Sequence, residues 1–198
     1  IYVPPFTLPG EYLVNLTARW TNLNSSYAGI NTTSMLVNVT ANPVIDLQDR
    51  IPPISEKSIQ EGSADNVTFN ITSIGNVNAT NITFNCSSGM VCLNFTTWFT
   101  PSIISILAPN QTELANISIV VPSNFPAGHY NGTVLANATL TFDYAPIYIT
   151  VPENMSWEQQ PNNISREVIQ GTGGNFGTIA VTNNGNVFVY LQIIQYEW

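Results

Sequence analysis

Apolar and polar residues alternate one for one along most of this chain, and a period of two restricts a backbone to extended strands. From Tyr12 to Trp20, the residues Tyr12, Val14, Leu16, Ala18 and Trp20 fall on one face while Asn15, Thr17 and Arg19 fall on the other, because successive side chains of a strand point to opposite sides. The pattern recurs. Met35, Val37, Val39 and Ala41 oppose Asn38 and Thr40, and Val67, Phe69 and Ile71 oppose Thr68, Asn70 and Thr72. Ile82, Phe84 and Cys86 oppose Asn81, Thr83 and Asn85, and Ile117, Ile119 and Val121 oppose Asn116 and Ser118. The run from Tyr130 to Phe142 reads as one long strand, with Val134, Ala136, Ala138 and Leu140 on its apolar side and Asn131, Thr133, Asn137, Thr139 and Thr141 on the other. No helical period extends beyond a turn or two. Prolines punctuate the strands at Asn42-Pro43, within 51–54, and at Thr100-Pro101, Ala108-Pro109, Val121-Pro122 and Gln160-Pro161. The pattern predicts an all-β protein of immunoglobulin-like β-sandwich modules, not a βαβ fold.

The polar faces are built without charge. Charged residues make up 8% of the 198, against roughly 25% in typical soluble domains. The cations are Arg19, Arg50, Lys57 and Arg166, and the net charge is −8. Nucleic acid is excluded as a partner, since nothing here neutralises a run of phosphates. Asn and Thr supply the polarity instead. With 25 Asn and 36 Ser plus Thr, chance placement gives about 4.5 Asn-x-Ser/Thr sequons. The chain has 16, at Asn15, Asn24, Asn31, Asn38, Asn66, Asn70, Asn78, Asn81, Asn85, Asn94, Asn110, Asn116, Asn131, Asn137, Asn154 and Asn163. A lone sequon is ordinary polar loop; this excess points to an extracellular protein carrying N-linked glycans. Asn and Thr of one sequon lie two apart, so they share the outer face of a strand.

Cys86 and Cys92 stand six apart, a spacing suited to a disulfide around a short loop in an oxidising compartment. Two free buried thiols or half a metal site are the alternatives. A four-ligand zinc site lacks partners, because His129 is the sole histidine. No apolar run reaches the length of a membrane-spanning helix, and no signal peptide is visible at Ile1. The chain therefore reads as a mature form with no membrane anchor of its own.

Two segments repeat. Phe69 to Val77, with Gly75-Asn76, is matched by Ile179 to Val187, with Gly185-Asn186; Pro9-Gly10-Glu11-Tyr12 is matched by Pro126-Ala127-Gly128-His129-Tyr130. Residues 44–151 thus read as a complete sandwich with early and late strands. Residues 1–43 hold late-type strands only and form a candidate donor segment. Residues 152–198 hold early-type strands only, an incomplete half-module. The expectation is one complete sandwich and one assembled from the N- and C-terminal segments. The final stretch, Val187 to Trp198, is apolar on both faces, which suits burial or an interface.

Catalytic chemistry is hard to place. His129 beside Tyr130 suits a corner, Asp46 and Asp49 suit a turn, and Gly171 to Gly177 leads into a strand, so a phosphate-loop reading loses its helix. Blue copper needs two His, and the chain has one. One lysine permits at most one isopeptide crosslink. No enzyme, metal or cofactor is expected. Trp20, Trp98, Trp157 and Trp198 are read as sandwich core before they are read as a sugar-binding platform.

Sequon density, alternation, the near absence of lysine and the incomplete ends together resemble the subunits of archaeal thread-type filaments. That resemblance implies a glycosylated pilus subunit on the cell surface, polymerising with copies of itself by donor-strand complementation. The face of Tyr12, Val14, Leu16, Ala18 and Trp20 is the candidate assembly strand. An S-layer or stalk module and a carbohydrate-binding adhesin are the alternatives. Intact mass spectrometry of protein from its native source is predicted to exceed the 21.6 kDa polypeptide by several kDa; the bare polypeptide mass would overturn the glycosylation reading.

Overall fold

The computed structural model describes residues 2–21, 28–49, 56–161, 164–165, 167, 169–171, 173–174 and 177–192. Sequon residues Asn24 and Asn163, together with Arg50, Arg166, Trp198 and the proline run at 51–54, lie outside the described residues.

In chain order the elements are a hairpin of β1 (Gly10–Thr21) and β2 (Ala28–Val39), then β3 (Ile45–Asp49), β4 (Glu56–Ser58), β5 (Ala64–Ser73) and β6 (Ala79–Ser88). A five-residue helix α1 (Met90–Asn94) leads to β7 (Thr96–Thr100), β8 (Ile103–Leu107) and β9 (Thr112–Val120). Next come β10 (Gly128–Asn137) and β11 (Phe142–Val151), then β12 (Trp157–Gln160) and β13 (Ala180–Asn183). Strands β3 to β11 make a sandwich. One sheet has the order β3-β5-β9-β7, the other β4-β11-β10-β6-β8. All pairings are antiparallel except β4 on β11. The first and last hairpins, β1-β2 and β12-β13, stand as two-stranded sheets of their own.

The alternation decides what is inside. Val67, Phe69 and Ile71 of β5, with Ile117 and Ile119 of β9, face Val134 and Ala136 of β10 and Ile147, Ile149 and Val151 of β11; all are buried. The all-β sandwich predicted from the period of two is the fold of the chain. A disulfide joins Cys86 on β6 to Cys92 on α1, with 5.3 Å between the α-carbons. It holds α1 against β10, where a Cβ on Gly132 would lie 2.9 Å from Val91. Beside it Phe95, Phe125 and Tyr130 pack edge to face, with ring centroids 4.9 to 5.6 Å apart.

Three expectations are corrected. The run Tyr130 to Phe142 is not one strand. It turns at 138–141, where the amide of Ala138 donates to the carbonyl of Thr141 at 2.8 Å, and Leu140 and Phe142 are exposed. The alternation simply runs on through the turn, Ala138-Thr139-Leu140-Thr141, which holds no glycine or proline to mark it. Asp46 lies within a strand, not a turn, and accepts from Gln48. Trp20, Trp98 and Trp157 are not core but about half exposed, and Ile, Val, Leu and Ala with Phe69 and Phe95 fill the space between the sheets instead.

Two ion-pairing contacts tie β4 down. Lys57 meets Asp65 at 2.9 Å, and His129 contacts Glu56, which also accepts from Thr150. The Thr150 hydroxyl, then His129, hold the Glu56 carboxyl below its ordinary range; Lys57 and the amide of Asn66 do the same for Asp65. A lowered carboxylate stabilises the fold above its ordinary range, and that contribution is lost as pH falls through and below it. Both pairs are solvent-exposed and screened. The thermal midpoint is therefore predicted to fall by less than about 10 °C between pH 7 and pH 2, as read by circular dichroism.

Candidate functional site

The turn after β5 reads Ile74-Gly75-Asn76 and the turn after β13 reads Asn184-Gly185-Asn186. Each grips the chain that enters its module. A Cβ on Gly75 would sit 2.2 Å from the carbonyl of Asn42, and one on Gly185 2.1 Å from the carbonyl of Asn154, so only glycine fits this close approach. The Asn76 Oδ1 accepts from the amide of Asn42 at 2.7 Å, and its Nδ2 donates to the carbonyls of Thr40 and Thr7 at 2.9 and 3.0 Å. Asn186 repeats the grip: Oδ1 accepts from the amide of Asn154 at 2.7 Å and Nδ2 donates to the carbonyl of Pro152 at 2.9 Å. The backbone amides of Asn76 and Asn186 donate to the carbonyls of Asn42 and Asn154 at 3.1 and 3.0 Å. Sequence reasoning took both Gly-Asn pairs as plain turns and missed the clamp; the signal was the asparagine present in both copies.

The late hairpins also match in detail. Gly10 pairs with Val39 and Leu16 with Thr33, as Gly128 pairs with Val151 and Val134 with Ala145. The Tyr12 hydroxyl donates to the carbonyl of Leu8 at 2.7 Å, and that of Tyr130 to the carbonyl of Pro126 at 2.8 Å. By this register Val14, Leu16, Ala18 and Trp20 stand where Gly132, Val134, Ala136 and Ala138 stand in the sandwich, and Met35, Val37 and Val39 where Ile147, Ile149 and Val151 stand. The environments differ. Val134 is 0% and Ala138 7% exposed, whereas their counterparts Leu16 and Trp20 are 48% and 53% exposed. Beside Tyr12, where the sandwich packs Phe95 and Phe125 on Tyr130, lies an apolar cavity of about 160 Å³ lined by Tyr2, Val3, Val14, Val37 and Val39 among others. The opposite face carries Asn15, Thr17 and Asn38, yet also exposed Leu13 and Leu36.

The early hairpin is open in the same way. Trp157 pairs with Asn183 as Ile45 pairs with Ser73. Ile45, Phe69 and Ile71 are buried, while their counterparts Trp157, Ile179 and Val181 are exposed. Beyond it Phe188, Tyr190 and Leu191 are exposed, and residues 193–198 of the doubly apolar stretch lie outside the described residues. The candidate assembly residues Tyr12, Val14, Leu16, Ala18 and Trp20 thus share one uncovered face.

No described sequon asparagine is buried. Asn15, Asn31, Asn38, Asn66, Asn78, Asn81, Asn85, Asn94, Asn110, Asn131, Asn137 and Asn154 are exposed, and Asn70 and Asn116 half-buried. Among the described residues, no three His, Cys, Asp or Glu side chains gather to hold a metal ion, and no helix is long and apolar enough to cross a membrane.

No family model matches the chain, and no curated protein matches it. Solved structures with some likeness include an adhesin, SrpA, from Streptococcus sanguinis, at 14% identity over 57% of this chain and 58% of that one, TM-score 0.43. Domains 1–6 of the surface-layer protein SbsC share 13% identity over 89% of this chain and 25% of that one, TM-score 0.36. A family 123 glycoside hydrolase from Clostridium perfringens shares 13% identity over 55% and 27%, TM-score 0.44. The chain spans less than two thirds of each of these proteins, and the scores are too low to bear on its role.

Replacing Asn76 with Ala removes three hydrogen bonds at one joint. It is predicted to cost about 1–3 kcal/mol in chemical unfolding and to speed hydrogen exchange at the amide of Asn42. Unchanged exchange there would show that the clamp does not hold the joint.

Proposed function

We propose that this chain is a structural subunit of a glycosylated extracellular filament at the cell surface, built head to tail as one copy's N-terminal hairpin covers the C-terminal half-module of the next. One observation carries the reading. β1-β2 matches β10-β11 residue for residue, and in the sandwich that same face is buried under a sheet whose first two strands, β3 and β5, have their counterparts in β12-β13. Each copy therefore has an apolar face of the late type and one of the early type, both open. The two surfaces differ, so joining them leaves a fresh pair at the ends and gives a fibre rather than a closed dimer. Side chains in alternate pockets along paired strands would supply the affinity. The exposed sequons would coat the fibre with sugar in place of charge. No catalytic role is part of this reading.

A specific observation favours a second reading. The same grip joins the chain on both sides of the sandwich, Asn76 on Asn42 and Asn186 on Asn154. Modules strung in one polypeptide, as in an S-layer or stalk protein, would repeat that joint and cover the open hairpins from the chain itself.

Negative-stain microscopy and sedimentation of the concentrated chain separate the two readings. Fibres are expected, and Leu16→Asp is predicted to raise the concentration needed for them by about a hundredfold or more, because it places an unpaired charge in the buried face. Deleting residues 1–43 is predicted to abolish them. Fibres that survive the deletion would overturn donation through this hairpin. A full-length chain that remains monomeric at high concentration, or forms a flat lattice, would favour the array.

A further inference from the structure

Two sequons on neighbouring strands are locked to each other. β5 and β9 run antiparallel, with Asn66 opposite Ser118 and Thr68 opposite Asn116. Asn66-Val67-Thr68 and Asn116-Ile117-Ser118 are both sequons, so each asparagine faces the other's hydroxyl. The Thr68 hydroxyl donates to the Asn116 Oδ1 at 2.6 Å, and the Ser118 hydroxyl donates to the Asn66 Oδ1. The next sequon on β5 is engaged too, as Thr72 and Thr112 share a hydroxyl hydrogen bond of 2.8 Å. The backbone is held as well. β9 is paired on both edges, by β5 and β7, and Phe69–Ser73 of β5 is held by β3 on one side and, through Thr72, by β9 on the other.

We propose that sugar reaches Asn66, Asn70 and Asn116 before the sandwich closes, so that transfer and folding occur in a fixed order at these sites. The inference rests on the glycosylation reading above. In the transfer, the Asn Nδ2 forms a bond to C1 of a lipid-linked sugar and loses one proton. The bond from C1 to the lipid phosphate or pyrophosphate breaks, and that group departs with the electron pair. The transferring enzyme must take the amide and the hydroxyl of a single sequon together, on backbone bent away from its neighbours. In the closed sandwich the hydroxyls of Thr68 and Ser118 serve the other sequon's carbonyl oxygen, and bending either strand breaks ladder hydrogen bonds. The reverse order meets no such obstacle. The cross-strand bonds use Oδ1 and leave Nδ2, the atom that carries the sugar, out of the contact. A chain already bearing sugar can therefore form the same ladder. Asn94 at the end of α1 is exposed and outside any strand, its Nδ2 donates locally to the carbonyl of Met90 at 2.9 Å, and its sequon hydroxyl Thr96 is the first residue of the edge strand β7, so this site opens to transfer after folding more readily than the three held ones.

The test uses the full chain made without sugar, folded and oxidised, and two peptides spanning residues 62–75 and 110–122. Each is offered to a single-subunit oligosaccharyltransferase with its lipid-linked oligosaccharide, and occupancy is followed site by site by mass spectrometry. Asn66, Asn70 and Asn116 are expected to be modified at least about tenfold faster in the peptides than in the folded chain, the ratio an opening equilibrium of a held strand imposes. Asn94 in the folded chain is expected to be modified faster than these three sites. Equal rates in peptide and folded chain at the three sites overturn the order. Native-source protein bearing no sugar at any sequon is a different failure, and overturns the glycosylation reading itself.

Discussion

A strand hairpin with one apolar side is stable in water only when something lies on that side, and the architecture of this chain turns on that demand. In the sandwich, Val134, Ile147 and Ile149 are covered by Phe69, Ile71 and Ile119, and burying a side chain of this size stabilises by about 1.5–3 kcal/mol. At the two ends the same kinds of face are present without the cover. β1-β2 and β10-β11 are alike in register, in their tyrosine hydrogen bonds and in the spacing of their apolar residues. They differ in company.

The outer faces answer a second demand, that of staying in water without charge. Here the ladders are joined by neutral hydroxyl and amide contacts: Thr17 with Thr32, Thr80 with Thr139, Ser34 with Asn15. Such cross-strand pairs contribute roughly 0.2–1 kcal/mol each and do not titrate. Carboxylates take little part in them; Glu56 and Asp65 tie β4 down at the surface and Asp143 accepts from the amide of Leu47 at 2.7 Å, so a small share of the fold's integrity follows the proton concentration around it.

Much of this was legible in the sequence. A period of two fixes which residues of β5, β9 and β10 point inward, and it did so for Val67, Phe69, Ile71, Ile117 and Val134. It says nothing about where a strand turns when the turn residues themselves alternate and include no glycine or proline, and so Ala138 to Thr141 read as strand. Aromatic bulk misled in the other direction. Tryptophan suits a core in general, but the gap between these sheets is filled by Ile, Val, Leu, Ala and two Phe, leaving Trp98 half exposed. The hairpin repeat could be read from Gly10 and Tyr12 against Gly128 and Tyr130. Of the clamp only the repeated asparagine could be read; its partners could not, because they lie across a joint, and Thr7 and Thr40 are far from Asn76 in sequence.

The clamp has a mechanical consequence. A flexible linker lets successive bodies wander, their separation growing only as the square root of linker length. Here the joints at Asn42 and Asn154 are held by an asparagine side chain and a backbone bond in the same geometry. A constant joint repeats one rotation and one translation at every step, and the only shape that operation generates is a screw. In the filament proposed above, bending would mean breaking hydrogen bonds at each joint in turn, whatever the size of the bodies it connects.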